Sequence, residues 1–393
     1  MVLSVPSPLL DERPTIYADR VGAWYLAWNK SKKAMGQYFT PISVADYMAQ
    51  LVTQSKDTMR ILDPGAGIGI LSCALCEKAI GNIELEAYET DPDLVNCLET
   101  CLRYTQEWMK ARGRSLRFKI IQSDFVMARA WALQWPTNDT FDIVISNPPY
   151  FKLSKADPRA KAAIAIVHGQ PNIYAIFMAL GAALLNAEGQ LVFITPRSYA
   201  AGRYFRRFRE YFFSKMRPRM IHLFDSRRDV FSDVLQESVI LFAERSDQDR
   251  DVIVSSSTSS QNFGQIKKRT LPLSEILNDD NILHIPLSDQ HDKVAELVRT
   301  WPTRLCDYEM EVSTGPVVPF RATQFVSSSG IGKLEEIMNP DKFIRVHRST
   351  IVNINYLKEI ERHFNGGMVV KMQSGKSFPV SRTYAKQIRK KVV

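Results

Sequence analysis

The chain has 393 residues, 45% hydrophobic and 24% charged, enough to bury a sizeable core in two to three domains and too apolar for a disordered polymer. Five cysteines exclude a disulfide scaffold and fit a reducing compartment such as the cytoplasm. The net charge of +9 is uneven, since residues 331–393 hold 13 Lys/Arg against 5 Asp/Glu and a second basic cluster runs from Arg197 to Arg228; a polyanion is the expected partner, with a merely solvated basic surface as the alternative.

The N-terminus, MVLSVPSPLLDERPTIY, has no basic start followed by an apolar core, so no signal peptide is expected. A short helix is predicted over Val21–Trp28. From Met59 strand patterns alternate with helical ones. The strands are Arg60–Leu62, Ile83–Tyr88, Phe118–Ile121, Phe141–Ile145, Gln190–Ile194, Met220–Phe224 and Ser238–Phe242. This rhythm predicts an α/β fold with a mostly parallel sheet covered on both faces. The short connection between the last two strands allows one of them to run antiparallel. The apolar run Ile173–Leu185 is 13 residues long, too short for a membrane span. Ser255–Gln265 reads as a loop, residues 266–326 are weakly patterned, and Ser327–Gly332 is a boundary. After a helical turn at Lys333–Met338 come β-type segments at Phe343–Asn353, Tyr356–Arg362, Met368–Met372 and Ser377–Val380, then a closing helix, Thr383–Lys391.

Four strand ends carry chemistry. Asp63-Pro64-Gly65-Ala66-Gly67-Ile68-Gly69 follows the first strand and opens a helix; glycines let backbone approach a ligand, although a plain strand-to-helix turn has the same form. Glu89 closes the second strand, where an acid accepts bonds from ribose hydroxyls. Asp91, followed by Pro92, is expected to cap the next helix. Asp124-Phe125 ends the third strand: either a carboxylate for a purine amino group with a ring beside it, or a capping Asp and a core Phe. The fourth strand ends in Asn147-Pro148-Pro149-Tyr150-Phe151. An amide oxygen, a carbonyl fixed by the prolines and an aromatic plane make a site for the exocyclic amino group of a flat base.

In this order, with Gly36-Gln37-Tyr38-Phe39-Thr40-Pro41 upstream, the motifs resemble the γ-class DNA adenine-N6 methyltransferases, and among them the Eco57I/BsuBI-like enzymes of restriction–modification systems. The resemblance covers about residues 30–326 and includes Gln170-Pro171-Asn172-Ile173-Tyr174, Phe193–Tyr199 and Val312–Val318. It implies a Rossmann-like S-adenosylmethionine-dependent domain with a seven-stranded sheet. It also implies S-adenosylmethionine as cofactor, double-stranded DNA as substrate and a cognate restriction endonuclease as partner. By the same resemblance Thr40 touches the methionine part of the cofactor, Asp63, Gly65 and Gly67 shape its loop, Glu89 takes the ribose, and Asp124 and Phe125 hold its adenine. Asn147 and the Pro148 carbonyl, with Pro149 fixing the turn, accept from the target amino group. Tyr150 stacks on the flipped base, and Phe231 takes the place of a second aromatic.

Phe343–Asn353, with Asn355–Ile360, Ser374-Gly375-Lys376 and Pro379–Arg382, resembles the C-terminal half of a LytTR DNA-binding domain. This resemblance implies DNA contacts from Arg348 and Arg382, with His347 packed beneath. The expected organisation is an N-terminal extension (1–30), a catalytic domain (31–245), a shortened target-recognition region (246–330) and a partial LytTR-like segment (331–393), small and β-rich. Cys73-x-x-Cys76 and Cys97-x-x-x-Cys101 read as small apolar residues on packed helices, so no metal is expected. Two other readings stay open: methylation of RNA or a protein glutamine, and a LytTR-type regulator whose first domain only senses the cofactor.

Overall fold

Side chains alternate in direction along each strand, which sorts the apolar ones onto two faces of one sheet. In β1 (Thr58–Pro64) Met59 and Ile61 face one side and Leu62 the other; β4 (Phe141–Ser146) and β5 (Leu185–Pro196) repeat this with Ile143 and Ile145 against Val144, and Val192 and Ile194 against Leu191 and Phe193. The first face is covered by the helices Pro14–Trp28, Ile42–Leu51, Ile70–Lys78 and Pro92–Lys110, and the second by Phe125–Arg129, Pro158–Ala162, Ile173–Leu184 and Arg206–Phe213. The computed structural model describes residues 5–29, 39–167, 171–224, 238–260, 263, 266–286, 288–300, 335, 340, 343–348, 350–362, 368–373, 377–381, 383–385 and 388. These fall into two units, Met1–Asp292 and Lys293–Val393.

The remaining strands of the first unit are β2 (Asn82–Glu89), β3 (Leu116–Gln122), β6 (Arg217–Phe224), β7 (Ser238–Glu244), β8 (Val252–Ser257) and β9 (Lys267–Leu271). Their order is β3-β2-β1-β4-β5-β7-β6-β8-β9. β1 to β5 run parallel, and β7 lies antiparallel between β5 and β6. All seven expected strands are present. Two more extend the expected seven-stranded sheet to nine: β8 takes in Ser255–Ser257 from the segment read as a loop, and β9 lies in the weakly patterned segment that follows. β8 pairs with β6, and the hydroxyls of Ser255 and Ser257 meet the ring nitrogens of His222 at 2.8 and 3.1 Å. These polar side chains are buried because they bond one another.

The first helix begins at Pro14, ahead of the expected Val21, with proline at its first turn and Tyr17 and Ala18 buried. The helix Ile173–Leu184 is apolar on every side because it is buried on every side. Among the described residues no helix is long and apolar enough to cross a membrane. Cys73, Cys76, Cys97 and Cys101 are buried free thiols, and burial pushes Cys73 up to about 12 and Cys97 to about 11.

The second unit holds two antiparallel sheets, β10 (Phe343–His347) with β11 (Thr350–Asn353), and β12 (Leu357–Arg362), β13 (Met368–Met372) and β14 (Ser377–Val380). The segment Phe343–Asn353 is thus a hairpin, with Arg348 at its turn. Ile344, Val346, Val352, Val370 and Ile388 form a small core.

Candidate active site

The chain lays β2 and β3 on one side of β1, then returns to place β4 on the other. Such a reversal opens a crevice at the carboxyl ends of the two central strands. Asp63-Pro64 and Ser146-Asn147 meet there, tied by the Ser146 hydroxyl donating to the Pro64 carbonyl at 2.6 Å.

Gly65, Gly67 and Gly69 adopt φ of 75°, 58° and 84°, left-handed conformations that strain any side chain. The amides of Gly65 and Ala66 both donate to the Tyr88 carbonyl at 2.9 Å, which fixes the loop to the end of β2. Beneath it, Asp63 is 1% exposed. Its Oδ2 accepts from the Ser72 hydroxyl at 2.6 Å, while Oδ1 is buried and finds no partner among the described residues. Burial pushes this carboxyl up to about 7, against the pull of the Ser72 bond and with a further push from Glu89. A buried carboxylate oxygen without a donor calls for a cationic ligand group.

Glu89 sits across the loop. Its Oε2 accepts from the Gly67 amide at 3.0 Å, and its Oε1 from the amides of Thr90 at 2.7 Å and Asp91 at 3.0 Å. Asp91 caps the helix Pro92–Lys110, as expected, accepting from the Asp93 amide at 3.0 Å and from the Tyr25 hydroxyl at 3.0 Å.

Asp124 caps the helix Phe125–Arg129 through Oδ1, which accepts from the Met127 amide at 3.0 Å. Its Oδ2 stands 3.6 Å from Arg159 Nη1. The Phe125 ring differs from the stacking expectation. It is 2% exposed, with Tyr88 and Phe177 each 5.1 Å away between ring centres. The hydrophobic effect seats it in the core, so it underlies the crevice instead of lining it.

At the end of β4 the Asn147 carboxamide is held from two sides. Its Nδ2 donates to the Thr40 hydroxyl at 3.1 Å, and its Oδ1 accepts from the Tyr150 hydroxyl at 2.6 Å. Thr40 is 4% exposed. The Tyr150 hydroxyl also lies 2.8 Å from the Ile194 carbonyl. Burial pushes this phenol well above its ordinary range, so it stays protonated and shares one donor between the two acceptors. Pro148 is buried and Pro149 packs 3.9 Å from the Cβ position of Gly65. Behind Tyr150 stands Tyr174, edge-on at 6.3 Å, its hydroxyl 2.7 Å from Ser198 Oγ. The structure therefore brings Thr40, Asp63, Gly65, Gly67, Asn147, Pro148, Pro149 and Tyr150 to one crevice, with Glu89 and Asp124 at the carboxyl ends of the neighbouring strands β2 and β3.

Phe231 and Arg382 lie outside the described residues, as do Gly36–Tyr38 and Val312–Val318. Among the described residues of the Arg197–Arg228 cluster, several arginines are spent on internal contacts. Arg209 is 3% exposed and donates to the carbonyls of Tyr199 and Gly202. Arg219 is paired with Glu244 at 2.7 Å and Arg217 with Asp249 at 2.8 Å. Arg217 pairs across the sheet with Glu244, itself opposite Gln190, at the end of these strands away from the crevice. Arg206 and Arg207 are exposed. In the second unit Arg348 is exposed at the β10–β11 turn, and Arg345 braces that turn by donating to the carbonyls of His347 at 3.2 Å and Arg348 at 2.9 Å. Ser72, Ser146, Arg159 and the Ile194 carbonyl are site groups that sequence reasoning missed; only the chain's path through space brings them in.

A switch-point crevice with a glycine loop on β1 and a proline-locked amide on β4 defines the class: a Rossmann-like methyltransferase fold. Residues 72–231 match the family model described as Eco57I restriction-modification methylase, and residues 317–392 match that of the LytTr DNA-binding domain. The LytTR match thus starts ahead of the expected residue 331. It is 33% identical over 314 residues to the type II methyltransferase M.BsuBI of Bacillus subtilis, covering 75% of this chain and 61% of the relative. It is 30% identical over 333 residues to M.PstI of Providencia stuartii, covering 80% and 64%. The chain thus spans less than two thirds of the length of these curated relatives. In fold it is similar to the type IIG restriction endonuclease BpuSI, with TM-score 0.53 at 16% identity, over 84% of this chain and 42% of that one.

Proposed function

We propose that the chain is a DNA methyltransferase of a restriction–modification system, moving a methyl group from S-adenosylmethionine to N6 of an adenine flipped out of the duplex. The observation that carries this reading is the Asn147 carboxamide, fixed between Thr40 and Tyr150 at the switch point of a methyltransferase sheet.

The residues fit the cofactor. The unpartnered Asp63 oxygen suits its ammonium group, Glu89 its ribose hydroxyls, and the Asp124 oxygen not used by the cap its adenine amino group. When bound, the sulfonium supplies an electrophilic methyl carbon. The chain's own residues do the rest. An adenine amino group is a poor nucleophile because its lone pair is delocalised into the ring. Asn147 Oδ1 and the Pro148 carbonyl accept hydrogen bonds from its two N–H groups, which favours a pyramidal nitrogen and frees the lone pair; once bonded to the methyl carbon the nitrogen is cationic and acidic, and one of these protons leaves to solvent. Positioning and electrostatics then carry the transfer without a strong base.

The entering amino group takes the acceptor that Tyr150 now fills, and the freed ring covers the base. Flipping costs a few kcal/mol, and stacking on Tyr150 offsets about 1–3 kcal/mol. The LytTR match favours duplex DNA over other amino substrates and also supports the second reading, a regulator whose first domain senses the cofactor.

The test is incubation of the full chain with mixed-sequence duplex DNA, bulk tRNA or protein and methyl-labelled cofactor, then product analysis. N6-methyladenine in DNA is expected. Asn147→Ala keeps cofactor binding and loses transfer. Label in tRNA or glutamine alone, or cofactor binding without product in the wild-type chain, overturns the proposal.

A further inference from the structure

We propose that Arg159 is a positioning residue that selects the cofactor's 6-amino purine by aiming the Asp124 carboxylate. The inference rests on the reading of Asp124 given above and extends it to a residue outside every motif.

Asp124 has two oxygens with different duties. Oδ1 is spent on the helix cap through the Met127 amide at 3.0 Å. Oδ2 is the oxygen left for a ligand, and Arg159 Nη1 stands 3.6 Å from it. That separation is an ion pair and too long for a hydrogen bond, so the lone pairs of Oδ2 are not consumed by it.

Arg159 is itself held on other sides. Its Nε and Nη2 donate to the two oxygens of Asp157 at 2.9 and 2.7 Å, a bidentate pair. Asp157 in turn caps the helix Pro158–Ala162, accepting from the Arg159 amide at 2.9 Å. The guanidinium also lies 5.3 Å from the centre of the Phe151 ring, within cation–π range. Phe151 follows Tyr150, and its carbonyl accepts from the Ile173 amide at 3.0 Å. The cation is therefore fixed before it reaches Asp124.

Stability does not account for this arrangement. The Arg159 and Asp124 side chains are 27% and 31% exposed, and pairs so open to water add little to folding. What the arrangement does is hold an anionic oxygen in one direction. Such an oxygen accepts from an amino group at purine position 6 and repels a keto oxygen there. The guanidinium thereby ties the purine-reading carboxylate to the loop that carries Tyr150.

The experiment titrates the full chain calorimetrically with S-adenosylhomocysteine and with its inosine counterpart, which has a keto group at position 6. The wild-type chain is expected to prefer the adenine ligand. Asp124→Ser keeps a capping hydroxyl and removes the carboxylate, and the preference should vanish. Arg159→Met should reduce the preference about threefold to fivefold, the upper part of the range of a partly screened charge pair. Phe151→Leu should reduce it in the same direction by less. If Asp124→Ser keeps the preference, the underlying reading of Asp124 fails. If Asp124→Ser abolishes it while Arg159→Met retains it within twofold, or weakens both ligands equally, the role given to Arg159 is wrong. Phe151→Leu leaves the charge in place, so it decides the matter should Arg159→Met not fold.

Discussion

Asp63 combines two demands that ordinarily conflict, full burial and a charge-seeking oxygen. Its carboxyl sits at about 7, chiefly through burial, against about 4 for an exposed aspartate. A folded-state value raised above the unfolded one binds protons more tightly in the folded chain. The stability this group contributes is thus fully present below about pH 4 and is lost as pH rises through about 7. A cationic ligand group reverses the preference, because it favours the ionised form. Cofactor affinity should therefore rise about tenfold between about pH 6 and pH 8, with proton release, and level off above. Asp63→Asn should bind more weakly, with no such pH dependence. Calorimetry in two buffers of different ionisation enthalpy measures the released proton directly, and a flat affinity profile in the wild-type chain removes this role. Tyr150 separates in the same manner into ring and hydroxyl. Tyr150→Phe loses the bonds to Asn147 and Ile194 but keeps the ring. It should retain most of the turnover, whereas Tyr150→Ala should lose about 1–3 kcal/mol of base stacking, read as a weaker KM for DNA.

At the scale of elements, two neighbouring acids at the end of β2 have different work. Glu89 is held by three backbone amides, while Asp91 caps a helix and bonds Tyr25. Asp91→Ala should cost about 1 kcal/mol of stability and leave cofactor affinity unchanged. Glu89→Ala should do the opposite, and melting curves beside calorimetric titrations separate the two. That division was readable from Pro92 after Asp91, because a cap and a first-turn proline are local chemistry. The seven strands were readable for a similar reason: the central ones, such as β4 with every residue buried, are near-continuous apolar runs, and β2 alternates apolar with polar residues. β8 was not, because Ser255 and Ser257 look like loop residues until His222 is placed between them. The site divides likewise. Asn147 to Tyr150 announce themselves by sequence. The arginine beside Asp124 lies outside every motif, and the Ile194 carbonyl under Tyr150, although inside the Phe193–Tyr199 stretch, is a backbone group that no side-chain pattern marks.

At the scale of the molecule, charge and chemistry are divided between two units. The crevice belongs to Met1–Asp292, while residues 331–393 carry 13 basic against 5 acidic residues. Within the second unit the charge is presented through a built turn. Arg345 donates to the carbonyls of His347 and Arg348, pairs with Glu335 at 2.9 Å, and lies 5.1 Å from the centre of the Tyr384 ring. It spends its charge on scaffolding and leaves Arg348 exposed at the tip. If Arg348 meets a phosphate, Arg348→Ala should weaken binding to all duplex sequences alike and lower the slope of log affinity against log salt by about 1. If it reads a base edge, the loss should fall on particular sequences, about 1–3 kcal/mol each. In both cases transfer by the first unit at saturating DNA should keep its kcat, since Arg348 belongs to the second unit. Equilibrium binding across a salt series, with turnover measured on the same duplexes, distinguishes these outcomes. An Arg348→Ala chain with unaltered affinity and slope would show that this turn does not touch DNA, and the reading of the LytTR sequence as a second DNA-holding element would fall with it.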